Sequence, residues 1–347
     1  NTNINQAKIA IIPSEVATKS NVQYLQQRLI IVWIKEKVKD EASEQKLVTL
    51  HKMITAGANG IVTDIPEKAT QALALYKYNT TIIRKPFSIA HRGVPSLAPE
   101  NTIEGAKLAF QLVADMVEND IRITKQGADG KQNLISMHDY TIDRTTNGKG
   151  KVADKTLEEL SKYLANKQFP AKYPMAKIPT LSQYVESFTG KNQVLFVEIK
   201  DTIPAAVDRY IEYSKKSGAE EHLVTISAYD EQLKRLQQQM PEMSLGYLRS
   251  GYDFKFNTYW SLRYALWQVQ TLNSSIMPDY NAVDRKFIEA ARHRGMNVWV
   301  WGFTDKETII EYFKMGVCGM TTDCAQVFSD WAAEIIPKQG NMYMKCG

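Results

Sequence analysis

Short apolar runs rich in β-branched and aromatic residues alternate along the chain with longer stretches whose apolar positions recur at helical spacing. The short runs predict strands at residues 87–90, 116–123, 134–138, 194–199, 223–227, 244–248, 275–277, 298–301 and 319–322. The longer stretches predict helices over residues 102–112, 156–163, 181–188, 230–239, 284–294 and 306–315. Strands that alternate with helices in this way pair in parallel through βαβ units. About eight such units in roughly 250 residues favour an α/β fold closed into a (β/α)₈ barrel over an open sheet.

The first of these helices begins just after Asn101. Because Asn is a common residue at the N-cap, we expect it to cap the helix over residues 102–112. Glu104 follows three residues later, where its side chain can reach back to complete a capping box.

Two segments of the chain share one pattern, which indicates an internal repeat. Residues 11–66 and 276–325 both predict strand, helix, strand, helix, strand and then a Thr-Asp turn. The matched positions are Pro13 with Pro278, Val32-Trp33 with Val298-Trp299, and Gly57, Gly60, Thr63 and Asp64 with Gly316, Gly319, Thr322 and Asp323. Repeats in a fixed order indicate duplicated architecture.

The repeat predicts the domain organisation. Residues 1–85 are interpreted as a partial barrel-like segment, residues 86–337 as the complete barrel, and residues 338–347 as a tail. A dedicated N-terminal appendage is the alternative interpretation of the first segment. A quarter of a barrel cannot bury its apolar strands alone. We therefore expect residues 1–80 to pack on the main barrel or on another chain, as an interdomain contact or a homo-oligomer interface.

Composition and charge distribution argue against several classes of protein. The 347 residues include 43 Lys and Arg against 38 Asp and Glu, and no run of like charges suggests a nucleic-acid-binding arm. The longest strongly apolar run, residues 29–34, is far shorter than the roughly 20 residues that span a bilayer, so no transmembrane segment is expected. The three cysteines, Cys318, Cys324 and Cys346, have neither the spacing of a metal site nor that of a disulfide framework.

Charged side chains stand on or directly after four consecutive predicted strands. They are His91-Arg92, Glu118-x-Asp120, His138-Asp139 and Glu198-x-Lys200. Each motif alone is weak, because such residues are more often found at a solvated strand edge or in a surface ion pair. If four successive barrel strands deliver them to one rim, however, carboxylates suited to a hard cation lie beside two proton-transferring histidines and two cations. This set predicts metal-assisted cleavage of a phosphodiester.

These motifs, together with their order along the chain, resemble the glycerophosphodiester phosphodiesterase family. The resemblance covers about residues 86–330 and rests on HRG-x5-PENT, E-x-D, HD…DRTTNGKG, IPTL, EIK and VWVWGFTD…GMTTD. It implies a TIM barrel with an insertion after the second strand, near residues 140–180. It also implies hydrolysis of a small-molecule glycerophosphodiester to sn-glycerol 3-phosphate and an alcohol.

The resemblance assigns roles to particular residues. It implies that Glu118, Asp120 and Glu198 bind one divalent cation, Ca²⁺ or Mg²⁺, and that His91 and His138 are the general base and the general acid. Arg92 and Lys200 would hold the phosphate, Trp301 would line the substrate pocket, and Ser227 would have a supporting role. A phospholipid-scavenging role and an N-terminal residue other than Met together predict a processed, exported bacterial protein, periplasmic or extracellular.

The closing motif departs from the family pattern. The family has Gly-Val-Asp-Gly and Thr-Asp-x-Pro, whereas this chain has Gly-Val-Cys-Gly at 316–319 and Thr-Asp-Cys-Ala at 322–325. We expect these positions to lie away from the ion. Residues 57–66 keep the family pattern better, so residues 1–85 resemble the C-terminal quarter of a barrel of this family. That segment lacks the catalytic motifs and is expected to carry no ligand. The remaining histidines, His51, His222 and His293, are expected to be structural.

Two alternative functions stay open. One is a related phosphodiesterase that takes a lysophospholipid, for which the aromatic-rich stretch from Tyr247 to Trp267 would form an apolar lip beside the pocket. The other is a binding protein of the same fold without catalysis. The sequence also leaves open whether water or a neighbouring glycerol hydroxyl attacks the phosphorus.

Overall fold

The computed structural model describes residues 2–36, 43–76, 84, 86–190, 193–250 and 258–335. Some sequence-based expectations lie outside this part of the chain. They are the tail at residues 338–347, which includes Cys346, and the side chains of Tyr252, Phe254, Phe256 and Tyr259 in the predicted lip.

The first part of the chain forms a parallel sheet of three strands in sequence order, with three helices. Its elements are β1 (Ile9–Pro13), α1 (Lys19–Gln27), β2 (Ile31–Lys35), α2 (Ser43–Thr55), β3 (Gly60–Val62) and α3 (Pro66–Ala74).

The rest of the described chain forms the predicted barrel together with its insertion. Its strands are β4 (Phe87–Ala90), β5 (Met116–Ile123), β6 (Leu134–Ser136), β7 (Val194–Ile199), β8 (Leu223–Ser227), β9 (Ser244–Arg249), β10 (Ser274–Pro278), β11 (Trp299–Phe303) and β12 (Gly319–Thr322). Its helices are α4 (Ile103–Gln111), α5 (Leu157–Leu160), α6 (Leu181–Glu186), α7 (Pro204–Ser217), α8 (Asp230–Gln239), α9 (Thr258–Leu272), α10 (Arg285–Arg292), α11 (Lys306–Met315) and α12 (Ala325–Ile335). Of the helices in the described residues, none is both long and apolar enough to cross a bilayer.

Eight of these strands pair in parallel, in the order β10-β9-β8-β7-β5-β4-β12-β11. Parallel bridges between Ile276 and Val298 and between Asp279 and Trp301 bring β10 against β11. The TIM barrel predicted from the sequence is thus confirmed.

One predicted barrel strand does not belong to the barrel. Strand β6 pairs antiparallel with β5, with Ile123 opposite Leu134 and Ile121 opposite Ser136. The segment between them, residues 124–133, contains no helix, and a parallel crossover needs a dozen or more residues. The expectation of four successive barrel strands was therefore wrong: β4, β5 and β7 are barrel strands, whereas β6 opens the insertion.

Along β5 and β7, the side chains that point into the barrel are apolar near the amino end and charged further along the strand. On β5, Met116 points into the barrel interior and Glu118, two residues on, lies on the same face. On β7, Phe196 is followed in the same way by Glu198. Trp299 lies across Gly319 near the amino end, where a Cβ on Gly319 would lie 2.2 Å from the indole ring. The amino half of the interior is thus a packed core, and the carboxyl end carries the charged groups.

The N-terminal sheet repeats the geometry of the last three barrel strands. Trp33 is paired with Gly60 in the ladder between β2 and β3, as Trp299 is paired with Gly319 between β11 and β12. Gly57 and Gly316, which stand at matched positions, have φ angles of +87° and +83°. The assignment of residues 1–85 to a partial barrel of the same family stays a prediction, and this shared geometry supports it.

The N-terminal segment closes the amino end of the barrel. Leu29 is fully buried within the interior core that contains Phe87 and Trp299. Its carbonyl accepts a hydrogen bond from Asn297 Nδ2 at 2.9 Å, just before β11 begins. Ser244 Oγ, at the start of β9, donates to the carbonyl of Arg28 at 2.8 Å. Since both partners lie at amino ends of strands, the segment covers the end opposite to the charged rim.

Replacing Leu29 with Ala should therefore destabilise the protein. The substitution opens a cavity at the centre of the interface between segment and barrel, and such a change costs about 2–5 kcal/mol. Urea unfolding should show a lower midpoint for Leu29→Ala, while Leu73→Ala, at a residue 46% exposed on α3, should change it little. Equal midpoints for the two variants would show that Leu29 does not anchor the segment.

Candidate active site

Two neighbouring barrel strands, β5 and β7, bring the three predicted acidic residues together. Glu118 and Asp120 alternate on β5, and Asp120 is paired with Glu198 of β7 in the ladder. Ligand oxygens of these three carboxylates all lie within 4.8 Å of one another. Glu118 and Asp120 are 2% and 1% exposed, so little water reaches them.

The three carboxyl groups differ in the direction of their pKa shifts. Burial and the charge of Asp120 raise the pKa of Glu118 to about 8. Burial and Asp120 likewise raise the pKa of Glu198. Burial acts in the same direction on Asp120, but Arg92 and Lys200 outweigh it and lower the pKa of this carboxyl.

The residues present fit a hard divalent cation. Glu118 Oε1 and Asp120 Oδ1 are buried, and neither forms a hydrogen bond within the described residues. Buried carboxylate oxygens are costly without compensation, and oxygen ligands are those that Ca²⁺ and Mg²⁺ prefer. The oxygen-only set argues against zinc.

Two cations flank the carboxylates. Arg92 follows β4 in a left-handed conformation with φ of +53°, and its backbone N–H donates to Glu118 Oε2 at 2.9 Å. Its guanidinium lies 3.2 Å from both Asp120 and Glu100. Lys200 Nζ lies 2.8 Å from Glu198 Oε1 and 3.7 Å from Asp120 Oδ1. Both predicted phosphate-binding residues therefore stand at the acidic cluster.

Each predicted catalytic histidine is paired with an aspartate. His91 Nδ1 lies 2.6 Å from Asp323 Oδ1, and His138 Nδ1 lies 2.7 Å from Asp139 Oδ1. Because a carboxylate can only accept, each Nδ1 carries the proton that it donates, and Nε2 is left for a substrate.

The two imidazoles differ in basicity. Burial opposes protonation of His91, but the hydrogen bond to Asp323 and the charge of Glu118 outweigh it and raise its pKa. For His138, burial outweighs Asp120 and Asp139, and its pKa is lowered. The pKa values of the two rings are thus shifted in opposite directions, so His91 holds a proton more tightly than a free imidazole does and His138 less tightly.

The contact of Asp323 with His91 corrects one expectation. The closing Thr-Asp motif was expected to lie away from the ion site, but β12 pairs with β4 in the barrel and brings its end beside His91. Cys318, by contrast, is buried in the interior core at the amino end. Thr322, whose carbonyl accepts from the backbone N–H of His91, and Asp323 are both unchanged from the family pattern.

Arg144 in the insertion links the carboxylate that holds Arg92 to the carboxylate that holds His138. Its guanidinium donates to both oxygens of Glu100 at 2.7 Å, and to Asp139 at 2.7 and 3.1 Å. Glu100 also accepts from Arg92, and Asp139 from His138. Sequence reasoning placed both Glu100 and Arg144 in motifs but gave neither residue a role.

Asn101 does not cap the helix as expected. The N-cap of α4 is Thr102, whose side chain accepts from the backbone N–H of Gly105. Asn101 is buried at φ +54°, and its Nδ2 donates to Asp120 Oδ2 at 2.9 Å. Its Oδ1 accepts from the backbone N–H of Asp120 and from Asn119 Nδ2, each at 3.0 Å. A position before a helix normally indicates a cap, so no sequence signal distinguished this role.

Substitution of Asn101 should weaken cation binding. Groups that orient a metal ligand typically contribute 10- to 100-fold in affinity or activity. We expect about that loss for Asn101→Gly, which tolerates the positive φ and removes only the amide. Isothermal titration with Ca²⁺ or Mg²⁺ would measure it, with Asn281→Gly as a surface control. Unchanged affinity in Asn101→Gly would contradict a positioning role.

A cavity of about 390 Å³ joins these groups. Its charged lining residues include both histidines, Arg92, Glu118, Glu198, Lys200, Arg249 and Asp323, and its apolar ones include Ile226, Leu248, Trp301 and Phe303. Trp301 is fixed by a hydrogen bond from Nε1 to the carbonyl of Met277 at 3.0 Å. The predicted pocket residue therefore does line the cavity.

The other singled-out residues lie elsewhere. Ser227 is fully buried, donates to Gln232 at 2.7 Å and accepts from the backbone N–H of Tyr229, so it shapes the turn before α8. His51 lies 3.1 Å from the hydroxyl of Tyr76, and His222 lies 3.1 Å from the carbonyl of Gln193. His293 is the C-cap of α10.

Comparison with known proteins places the chain in a family. The sequence model of the glycerophosphoryl diester phosphodiesterase family matches residues 91–327. A glycerophosphodiester phosphodiesterase of Caldanaerobacter subterraneus subsp. tengcongensis is 32% identical over 244 residues, which are 69% of this chain and 94% of that protein. A glycerophosphodiester phosphodiesterase from Agrobacterium tumefaciens, 28% identical, superposes with a TM-score of 0.58 over 71% of this chain and 99% of its own. A phosphodiesterase of Oleispira antarctica, solved with sn-glycerol-3-phosphate, shares the fold with a TM-score of 0.62 and 23% identity over 72% of this chain and 97% of its own. The family model covers most of the barrel, including the carboxylates, the histidines, Arg92 and Lys200. The chain therefore belongs to the glycerophosphoryl diester phosphodiesterase family.

Proposed function

We propose that this protein hydrolyses glycerophosphodiesters to sn-glycerol 3-phosphate and an alcohol, with one Ca²⁺ or Mg²⁺ ion bound by Glu118, Asp120 and Glu198. The observation that carries the proposal is the buried carboxylate cluster with two oxygens that form no hydrogen bond within the described residues. It lies in the same cavity as two histidines and two cations, which is what phosphodiester cleavage needs.

Binding of the phosphate is assigned to Arg92 and Lys200. A bound divalent cation would supply further positive charge against a nonbridging phosphate oxygen. The Arg92 guanidinium can donate two parallel hydrogen bonds, and the Lys200 ammonium acts as a point charge. Both are held in advance by Asp120, so they need little reorganisation as charge develops in the transition state.

Proton transfer is assigned to the two histidines. We propose that His138, whose lowered pKa keeps it neutral, removes the proton from the nucleophile, and that His91, whose pKa is raised, protonates the leaving alkoxide. This order is the reverse of the one implied by the resemblance. The nucleophile is either water or the adjacent glycerol hydroxyl, which would give a cyclic phosphate first.

Asp323→Asn should shift the pH profile. Activity requires protonated His91, and the Asp323 carboxylate raises the pKa of that ring. Without the carboxylate, His91 loses its proton at lower pH, so the alkaline limb of kcat should move down while the acidic limb, set by His138, stays. Profiles recorded with saturating cation would measure this, with the surface variant Asp230→Asn as control. An alkaline limb that does not move would contradict the assignment.

Substrate class is tested with purified protein and a panel of glycerophosphodiesters bearing choline, ethanolamine, inositol or glycerol, each with Ca²⁺ or Mg²⁺. Release of sn-glycerol 3-phosphate is the expected result. Turnover of lysophospholipids alone would favour the related lipid phosphodiesterase. Tight binding without turnover of any member would favour a non-catalytic binding protein.

A further inference from the structure

An exposed aromatic face lies beside the cavity on helix α9. Trp260, Tyr264 and Trp267 recur at intervals of four and three residues, so they share one side of the helix. Their exposed fractions are 63%, 37% and 59%, while Leu262 and Ala265 on the opposite side are buried. Tyr264 and Trp267 pack with ring centroids 6.2 Å apart. We call Trp260, Tyr264 and Trp267 the aromatic face.

The aromatic face is continuous with the lining of the cavity. Arg249, which lines the cavity, donates from Nη2 to the hydroxyl of Tyr264 at 3.4 Å and from Nη1 to that of Tyr247 at 2.7 Å. Gln268 donates to the same Tyr264 hydroxyl at 2.8 Å. The polar tip of Tyr264 thus meets the cavity wall, while part of its ring stays exposed.

Exposed apolar side chains also stand at the starts of the two preceding barrel helices. Ile203, 46% exposed, is the N-cap of α7, and Tyr229, 40% exposed, is the N-cap of α8. In a TIM barrel the helix starts follow the carboxyl ends of the strands, which is the end that carries the catalytic groups. These side chains and Trp260 in the first turn of α9 therefore stand on the catalytic end of the molecule.

Charge and residue type indicate which partner this surface fits. Helix α9 contains no Asp or Glu, and its Arg263 guanidinium stacks over the ring of Trp260 at 5.8 Å. Trp and Tyr are enriched where apolar and aqueous phases meet, because each has an apolar ring and a polar tip. Arg adds attraction to anionic headgroups, and the whole chain carries a net charge of +5.

From these observations we infer that the aromatic face of α9 docks the protein onto an anionic lipid surface, with the cavity mouth beside the headgroup layer. Trp260 and Trp267 enter the interface, and Arg263 lies among the headgroup phosphates. The inference goes beyond the proposed hydrolysis and does not depend on it, since docking needs none of the catalytic residues.

The test is partition of the full chain onto vesicles. Wild type should sediment with phosphatidylcholine vesicles that contain phosphatidylglycerol, bind phosphatidylcholine alone more weakly, and be released by salt. Tryptophan emission should shift to shorter wavelength on binding. For the double variant Trp260→Ala/Trp267→Ala, partition onto these vesicles should be weaker than for wild type by roughly tenfold or more. The matched control Leu73→Ala/Leu75→Ala removes exposed apolar side chains on the N-terminal segment and should partition like wild type.

A second variant keeps the test decisive if the double variant fails to fold. Arg263→Glu changes an exposed side chain and should reduce binding to phosphatidylglycerol vesicles, with hydrolysis of a soluble diester unchanged. Full vesicle binding by both variants would overturn the inference, as would a wild type that binds neither vesicle. Self-association of wild type that is lost in the double variant, without vesicle binding, would mark a protein interface and equally overturn it.

Discussion

Removal of divalent cations with EDTA should abolish hydrolysis of glycerophosphocholine, by at least about a thousandfold, and Ca²⁺ or Mg²⁺ should restore it. The three carboxylate groups converge within 4.8 Å, and two of their buried oxygens form no hydrogen bond within the described residues. Without a cation this cluster repels an anionic phosphate, and Arg92 and Lys200 are engaged in neutralising it. Restoring activity with each metal in turn would also show which of the two supports catalysis.

The same experiment should be sensitive to pH. Glu118 has a pKa raised to about 8 by burial and by Asp120, so at neutral pH in the ion-free protein it holds a proton. A cation must displace that proton, so its apparent affinity should fall as pH falls below about 8. Titration at several pH values would measure this, with proton release as a second signal.

Variants separate the cation site from general charge effects. Glu118→Gln should lose cation binding and activity together, while Glu158→Gln, at a side chain 86% exposed in the insertion, should keep both. Full activity of EDTA-treated, dialysed enzyme would show that the carboxylates are not a metal site. The family assignment would stand even then, since it rests on the sequence match over residues 91–327.

Replacing either histidine with Ala should lower kcat by roughly 10²- to 10⁴-fold, the range expected for general acid–base catalysis. Neither ring is among the proposed cation ligands, so the loss should persist at saturating metal. Binding of the product sn-glycerol 3-phosphate should change little, because the phosphate contacts are assigned to Arg92 and Lys200.

A substrate with a good leaving group assigns the two roles. A p-nitrophenyl ester needs no protonation on departure, so His91→Ala should lose far less activity on it than on glycerophosphocholine. His138→Ala should lose activity on both, because the nucleophile still has to be deprotonated. The opposite pattern would exchange the roles, and unchanged turnover of glycerophosphocholine by His138→Ala would remove that residue from the mechanism.

The parts of the site that follow local rules were predictable from sequence. His91 directly follows β4, Glu198 lies one residue before the end of β7, and Glu118 follows the last residue of β5 that pairs with β4. A barrel brings such positions to one rim. The alternation of side chains along a strand predicted that Glu118 and Asp120 share one side, as do Glu198 and Lys200.

The parts that depend on long-range closure or on unusual backbone were not predictable. Asp323 lies 232 residues from His91 and reaches it because β12 closes against β4. Asn101 has the sequence position of a helix cap, but its positive φ turns the amide toward Asp120. The run at residues 134–138 has the composition of a strand, and composition does not tell a parallel partner from an antiparallel one.

The buried position of Leu29 at the amino end of the barrel affects where the chain can be cut into fragments. The family match begins at residue 91, and a fragment cut there would keep every residue of the candidate site. It would also lack β4, the strand that joins β12 to β5, and the side chain that fills the base of the interior beside Phe87 and Trp299. The limits of the family match are therefore not the limits of the packed core, and residues without an assigned catalytic role complete that core.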